Sequence, residues 1–405
     1  MRTPRPARAL RLWSRTEGSR KVEEGGRRRV VESPGGRVVA VAAPTVGVEE
    51  EFFLLDPRTG SVAAVAPEVI ALAAAPRVVT SEIMRYMVET RTPVCLTLDE
   101  ARAGLAGARV RLAGAASACD VIGVAVGVPP RGLPREVMIT ETPRYADLLR
   151  RFPDRARTSG TCSCHVHVGV ANRRLGLQVL RRLRPWLPTL LALTAASPVW
   201  EGQDSGWASR RFPLMTGWPT VRPPPDVLSV EAYDAEVRAA VSSGLALDAR
   251  NVYYLARLSP RYPTVEVRVA DVCLTTDDAV AYAGLVRALV ATAVDEARRG
   301  VPPLPVPDRV LLESCWSAAR HGLAGDLRDP RSGERVPTPA VVEGLLDLVG
   351  PELAAWGDER IVVPTIEQLV AVGGGAARHR RILRSAGAPA AYARALSELT
   401  CPQAS

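Results

Sequence analysis

The sequence predicts an α+β fold built on an antiparallel sheet, and two observations carry that reading. Alternating, β-branched runs such as TVEVRVA (264–270) mark strands with one apolar and one polar face. Ala/Leu/Arg-rich helical stretches intermix with these strands without the regular βαβ rhythm of a doubly wound sheet.

In chain order, VGVEEEFFLL (46–55) reads as a strand closed by the turn Asp56-Pro57-Arg58-Thr59-Gly60. Residues 67–75 and 99–117 read as helices, VIGVAVGV (121–128) as a buried strand, and TCSCHVHVGV (161–170) as an alternating strand. An apolar helix follows over 175–195, interrupted by Pro185 and Pro188, and then a Trp/Gly/Pro-rich loop over 199–228. YPTVEVRVADV (262–272) is a strand and 277–299 a helix; Pro302, Pro303, Pro305 and Pro307 stiffen a linker before a mainly helical part from about 301.

At 405 residues, 47% hydrophobic and 23% charged, the chain has the composition of a globular protein with a large core. Its net charge of +9 is unevenly placed: residues 1–43 hold ten Arg and Lys21 against four Glu, and the rest is nearly balanced at 41 basic to 39 acidic. The basicity therefore belongs to an N-terminal extension (1–43), expected to be disordered, ahead of a single domain over 44–400. Neither a nucleic-acid partner nor a membrane partner is expected. Seven scattered cysteines in a chain of this size read as reduced thiols in a cytoplasmic protein, and no apolar run reaches the ~18 residues of a spanning helix.

Three adjacent carboxylates stand inside the first strand. Glu49 and Glu51 share a face roughly 7 Å apart and repel by about 2 kcal/mol at an effective dielectric near 20. Either water screens them or a cation lies between them. In TVEVRVA, Thr264, Glu266 and Arg268 share the polar face. CSCHVHVG invites a zinc reading, but Cys162 and Cys164 point one way and Ser163, His165 and His167 the other, so no four-ligand site forms on one face. Glu82 and Glu89 lie seven residues apart and reach one site only across a turn or bulge. With Lys21 the only lysine, no P-loop exists, and no G-x-S-x-G elbow appears. GGGA (373–376) reads as a helix-start turn.

Together GVEEEFFLLDPRTG, VETRTPVC, RTSGTCSCHVHVGV, LLALTAASPVWEGQDSGWASR, SPRYPTVEVRVADVCLTTDDA and GDERIVVPTIEQLVAVGGGAARHR resemble the carboxylate–amine ligase family of the glutamate–cysteine ligase type 2 group. The resemblance implies a curved, mainly antiparallel sheet forming a cradle backed by helices, like that of glutamine synthetase and glutamate–cysteine ligase, with ATP and Mg²⁺ on its concave face. It implies Glu49, Glu51, Glu82, Glu89, His167 and Glu266 as Mg²⁺ ligands and His165, His167 and Arg268 as contacts to metal or phosphate. Arg268, Glu266 and Arg210 would serve catalysis, the two arginines by holding phosphate or the substrate carboxylate and Glu266 as part of the acidic ring. The implied reaction is attack of a glutamate-like side-chain carboxylate on the γ-phosphate of ATP. An amine such as cysteine then displaces phosphate from the acyl phosphate. Small-molecule substrates are the expected partners, and a homodimer is compatible. Arg211, Phe212, Met215 and Tyr253-Tyr254 depart from the family pattern and are candidates for lining the acceptor pocket. The rival readings are a metal-dependent hydrolase using the Glu/His cluster, a ligase with a different acceptor, and a non-catalytic nucleotide-binding relative.

Overall fold

The computed structural model describes residues 28–32 and 38–402, in two units that divide after Ala42. The first unit contains β1 (Arg28–Glu32) paired antiparallel with β2 (Val38–Ala42). Both strands fall within the extension expected to be disordered, most of which, residues 1–27 and 33–37, lies outside the described residues.

In the second unit the sheet grows around β3 (Val46–Leu55), the acidic strand. After α1 (Ala66–Ala73), the short β4 (Val79–Ser81) turns back into β5 (Met87–Arg91), which pairs with β3 so that Glu51 faces Glu89. Helix α2 (Leu98–Ser117) starts at a capping box in which Thr97 and Glu100 satisfy each other's backbone N–H, and leads to β6 (Ile122–Val124) on the end of β3. The strand expected over 121–128 is thus only three residues long. Gly127 explains why the chain stays close afterwards: a Cβ there would lie 2.9 Å from the Ser197 Cβ and 3.1 Å from Asp271 Cγ.

Helices α3 (Pro143–Arg151) and α4 (Pro153–Arg157) precede β7 (Ser163–Gly169), which pairs with the other half of β3 and sets Glu49 opposite His165. The expected proline-interrupted helix is α5 (Arg173–Leu183), a 3₁₀ turn at Pro185, then α6 (Leu187–Thr194). The Trp/Gly/Pro-rich loop holds only the small β8 (Val199–Trp200), β9 (Gln203–Asp204) and α7 (Arg211–Met215) before α8 (Val230–Ser242). Then β10 (Ala256–Leu258) and β11 (Thr264–Asp271) complete a seven-stranded, antiparallel sheet of order β10-β11-β7-β3-β5-β4, with β6 also on β3.

Helix α9 (Thr276–Arg298), capped by Thr275 and Asp278, is the central backing helix and packs on β3, β7, α2 and α5. The stretch 301–307 is irregular, as its prolines require, before α10 (Asp308–His321). The remaining part is mainly helical: α11 (Thr338–Trp356), α12 (Glu359–Ala371), α13 (Gly374–Ala386) and α14 (Pro389–Thr400). A small pair, β12 (Asp326–Arg328) and β13 (Arg335–Pro337), is inserted that the sequence reading did not anticipate. No helix among the described residues is long and apolar enough to cross a membrane.

The sheet therefore has two unlike faces. Val48, Phe52, Cys164, Val166, Val265 and Val267 are fully buried against the helices. Glu50 shares this face and is 0% exposed; Arg109 of α2 chelates it with bonds of 3.0 and 2.6 Å and also donates to the carbonyls of Cys273, Leu274 and Thr400. The middle glutamate of the triplet is structural, and its neighbours turn to the opposite face.

Candidate active site

On that opposite face the strands and the loops above them enclose a cavity of about 360 Å³. Period-two alternation sends Glu49 and Glu51 of β3, Ser163, His165 and His167 of β7, and Glu266 of β11 into it. Cys164 of β7 and Cys162 just before it point the other way, buried without any disulfide; the hydrogen bond with Cys273 and then burial push the Cys164 thiol up, and burial pushes up that of Cys162. None belongs to a potential metal cluster among the described residues.

Two features break the simple alternation. The turn between β4 and β5 swings Glu82 back toward β5, so that Glu51, Glu82 and Glu89 bring ligand oxygens within 4.8 Å of one another. In β11 a bulge between Val267 and Ala270 inserts one extra residue against β7, just where Arg268, on the same face as Glu266, enters the cavity. The bulge is held from behind. Arg211, 2% exposed, donates to the carbonyls of Arg268 and Val269, both at 3.2 Å, and lies 3.6 Å from Asp271.

A second triplet, Glu49, His167 and Glu266, also offers ligand atoms within 4.8 Å. Glu49 Oε2 lies 3.7 Å from His165 Nδ1 and 3.6 Å from His167 Nε2. Burial opposes ionisation of Glu49, but the two histidines beside its carboxylate hold it well below the usual range. Glu266, 2% exposed, receives Nε and Nη2 of Arg257 at 2.8 and 3.1 Å and Nη1 of Arg268. These guanidiniums overcome burial and hold it well below the usual carboxylate range. The Oε2 of Glu51 accepts bonds from the backbone N–H and hydroxyl of Ser163 at 2.7 and 2.6 Å.

The residues fit a hard divalent cation. Glu51, Glu82 and Glu89 form an all-oxygen set, the chemistry Mg²⁺ prefers over softer metals. In the other triplet His167 Nδ1 is occupied by Thr264 Oγ1 at 2.9 Å, while its Nε2 is buried with no hydrogen-bond partner among the described residues and faces Glu49 and Glu266. A ligating histidine fixed through its other nitrogen has this arrangement. Near Glu82 the carboxyls resist ionisation without a counter-charge. Burial, then the charge of Glu51, pushes Glu82 up to about 7; burial, Glu49 and Glu82 push Glu89 well up.

Comparison with known proteins fits this geometry. The family described as glutamate–cysteine ligase family 2 matches residues 45–398. The chain belongs to that family. A Salinispora arenicola protein named "Putative glutamate--cysteine ligase 2" is 43% identical over 345 residues, 85% of this chain and 91% of its own. Among solved structures, a glutamate–cysteine ligase from Francisella tularensis in complex with AMP aligns with a TM-score of 0.68 at 14% identity, covering 89% of both chains. A bifunctional glutathione synthetase from Pasteurella multocida aligns at 0.62 and 18%, covering 89% of this chain and 52% of its own. At such identities the two structures speak to the fold, which is the expected α+β cradle. Membership of the glutamate–cysteine ligase family makes the chain an ATP-dependent carbon–nitrogen ligase.

Of the residues singled out from sequence, Glu49, Glu51, Glu82, Glu89, His165, His167, Glu266 and Arg268 all line the cavity. Arg210 does not: at the start of α7 its guanidinium stacks over the Trp200 ring, 5.3 Å from the centroid, outside the lining. Of the five residues that depart from the family pattern, Met215 and Tyr253 line the cavity, whereas Arg211, Phe212 and Tyr254 are buried behind it. Sequence reasoning missed Arg144, Tyr145, Trp218 and Arg257, which stand in no motif and reach the site from α3, a loop and β10, whereas Arg91, at the polar end of VETRTPVC, lines the cavity from β5. Arg257 sits directly opposite Glu266 in the β10–β11 pairing, and that register was the only signal for it.

The raised Glu82 carboxyl has a measurable consequence. The folded, metal-free chain holds this proton more tightly than the unfolded chain, whose carboxyl titrates near 4.5. Its contribution to stability is therefore complete below that value and is lost as pH rises through about 7. A divalent cation bound by Glu82 near pH 7 would displace its proton. The expected results are a metal-free thermal midpoint that falls over this range and proton release on Mg²⁺ titration in weakly buffered solution. A midpoint independent of pH together with no proton release would contradict this protonation state.

Proposed function

We propose that the protein joins the side-chain carboxylate of glutamate, or a similar amino acid, to an amine through an acyl-phosphate intermediate, using ATP with Mg²⁺. The observation that carries this reading is the pair of carboxylate clusters meeting on one face with Arg268 between them and the histidines. Two anions, a carboxylate and a triphosphate, must approach each other in the first step. Bound Mg²⁺ supplies the charge that neutralises phosphate oxygens there.

The chain's own residues supply the rest. Arg268, fixed by Glu266 and the bulge, is placed to hold the transferring phosphoryl group or the carboxylate that receives it. His165, kept neutral by burial and by Arg268, orients Glu49 and shares Ser163 with Glu51. The cavity is unequal along its length. Residues 260–263 at one end are exposed, whereas Tyr145, Trp218 and Tyr253 enclose the other. A nucleotide too large to be enclosed fits the open end and a small amino acid the closed end. The carboxylate then attacks phosphorus between the two clusters, ADP leaves toward the open end, and the amine displaces phosphate from the acyl carbon. No protein nucleophile is needed.

Incubation with ATP, Mg²⁺, glutamate and a panel of amines, following ADP, tests the reading. ADP release that requires both carboxylate and amine is the expected result. No ADP above background with any combination would count against it. Turnover without ATP, preferring Zn²⁺ or Mn²⁺, would favour the metal-dependent hydrolase.

A further inference from the structure

The turn between β10 and β11, SPRYP, lines the open end of the cavity and presents two side chains that the chemistry above does not use. Tyr262 is 53% exposed, although its ring stands edge-on to His167 with centroids 6.1 Å apart. Arg261 beside it is exposed and has no acidic partner among the described residues, unlike Arg91, Arg257 and Arg268, each bonded to a glutamate. The turn itself is well held. The Ser259 hydroxyl accepts from the N–H groups of Arg261 and Tyr262 at 3.4 and 3.3 Å, and the Tyr262 and Pro263 carbonyls accept from Thr264 and Val170 at 2.8 and 3.0 Å. A fixed backbone thus displays a bare aromatic ring and an uncommitted guanidinium one ring away from the Glu49–His167–Glu266 cluster.

From this we infer that Tyr262 is the stacking platform for the adenine ring of ATP, with Arg261 drawing the polyphosphate toward the clusters. The assignment rests on the ligase reading and adds a residue that recognises the base. Stacking a base would cover the exposed ring, and such contacts tolerate any flat ring face. The phosphates would then lead from the base at the rim, past His167, to the carboxylate clusters.

Two probes separate the base from the phosphates: a non-hydrolysable ATP analogue and inorganic tripolyphosphate, each titrated with Mg²⁺ in a calorimeter against the full chain. Tyr262→Ala is expected to weaken the analogue about tenfold or more and leave tripolyphosphate unchanged; Tyr262→Phe keeps both. Arg261→Gln is expected to weaken both probes equally. In turnover, Tyr262→Ala raises KM for ATP with kcat preserved. Because the Tyr262 ring is largely exposed, the variant should fold, which its thermal midpoint will show. Wild type binding both probes while Tyr262→Ala binds the analogue as tightly would overturn the Tyr262 assignment alone. Wild type binding neither probe would overturn the ligase reading and this assignment with it.

Discussion

Glu266→Gln is expected to leave the fold in place and lower ADP release by about a thousandfold, the scale of removing a preorganised charge from a transition state. The side chain does three things at once. It offers an oxygen to the cluster with Glu49 and His167, fixes Arg268 beside the reacting groups, and neutralises Arg257. Glutamine keeps the shape but loses the charge on which all three depend. Arg257 keeps its bonds to the carbonyls of Arg250 and Val252 at 3.0 and 2.9 Å, so the pocket wall has an anchor left. Circular dichroism should match wild type while turnover is lost. An unfolded variant would instead make Glu266 a structural residue, and near-normal turnover would remove it from the reaction.

The second large effect falls on stability. Arg109→Ala is expected to destabilise the protein by about 3–5 kcal/mol, because it leaves the Glu50 carboxylate buried and unpaired. The arginine also ties three carbonyls, one of them Thr400 at the end of α14, to the strand bearing Glu49 and Glu51. Glu50→Gln should cost less, since the arginine then keeps all three carbonyl acceptors. Urea denaturation of the two variants and wild type measures both values. If Arg109→Ala lies within about 1 kcal/mol of wild type, the range of an ordinary substitution, the pair does not hold the strand.

Much of this site could be read from the sequence because strand alternation fixes faces. The period of two separated His165 and His167 from Cys162 and Cys164 and placed Glu49 and Glu51 together, and the structure keeps both divisions. Alternation fails where the backbone departs from it. Glu82 joins its cluster only through the β4–β5 turn, and no residue pattern announces the bulge that shifts the register of β11 after Val267, although alternation does place Arg268 on the face of Glu266. Arg211 is the clearest example. From sequence it was a candidate for the acceptor pocket, yet its work is behind the sheet, holding the carbonyls of the bulge. Arg144 and Arg257 went unseen for another reason: arginines are abundant here, and only the packing of α3 and the β10–β11 register sets these two apart. Strands were legible where they are long; β6 is cut to three residues because Gly127 and its neighbours pack tightly against the Ser197 loop and Asp271 instead of pairing.

In the proposed reaction, two separate carboxylate clusters on one face of the sheet hold divalent cations shared with a triphosphate. Crystals soaked with Mn²⁺, as a stand-in for Mg²⁺, and a non-hydrolysable ATP analogue test it directly by anomalous diffraction. The account predicts one anomalous peak among Glu49, His167 and Glu266, another among Glu51, Glu82 and Glu89, and analogue phosphates touching both. Peaks confined to the outer surface, or an analogue bound away from these carboxylates, would contradict it.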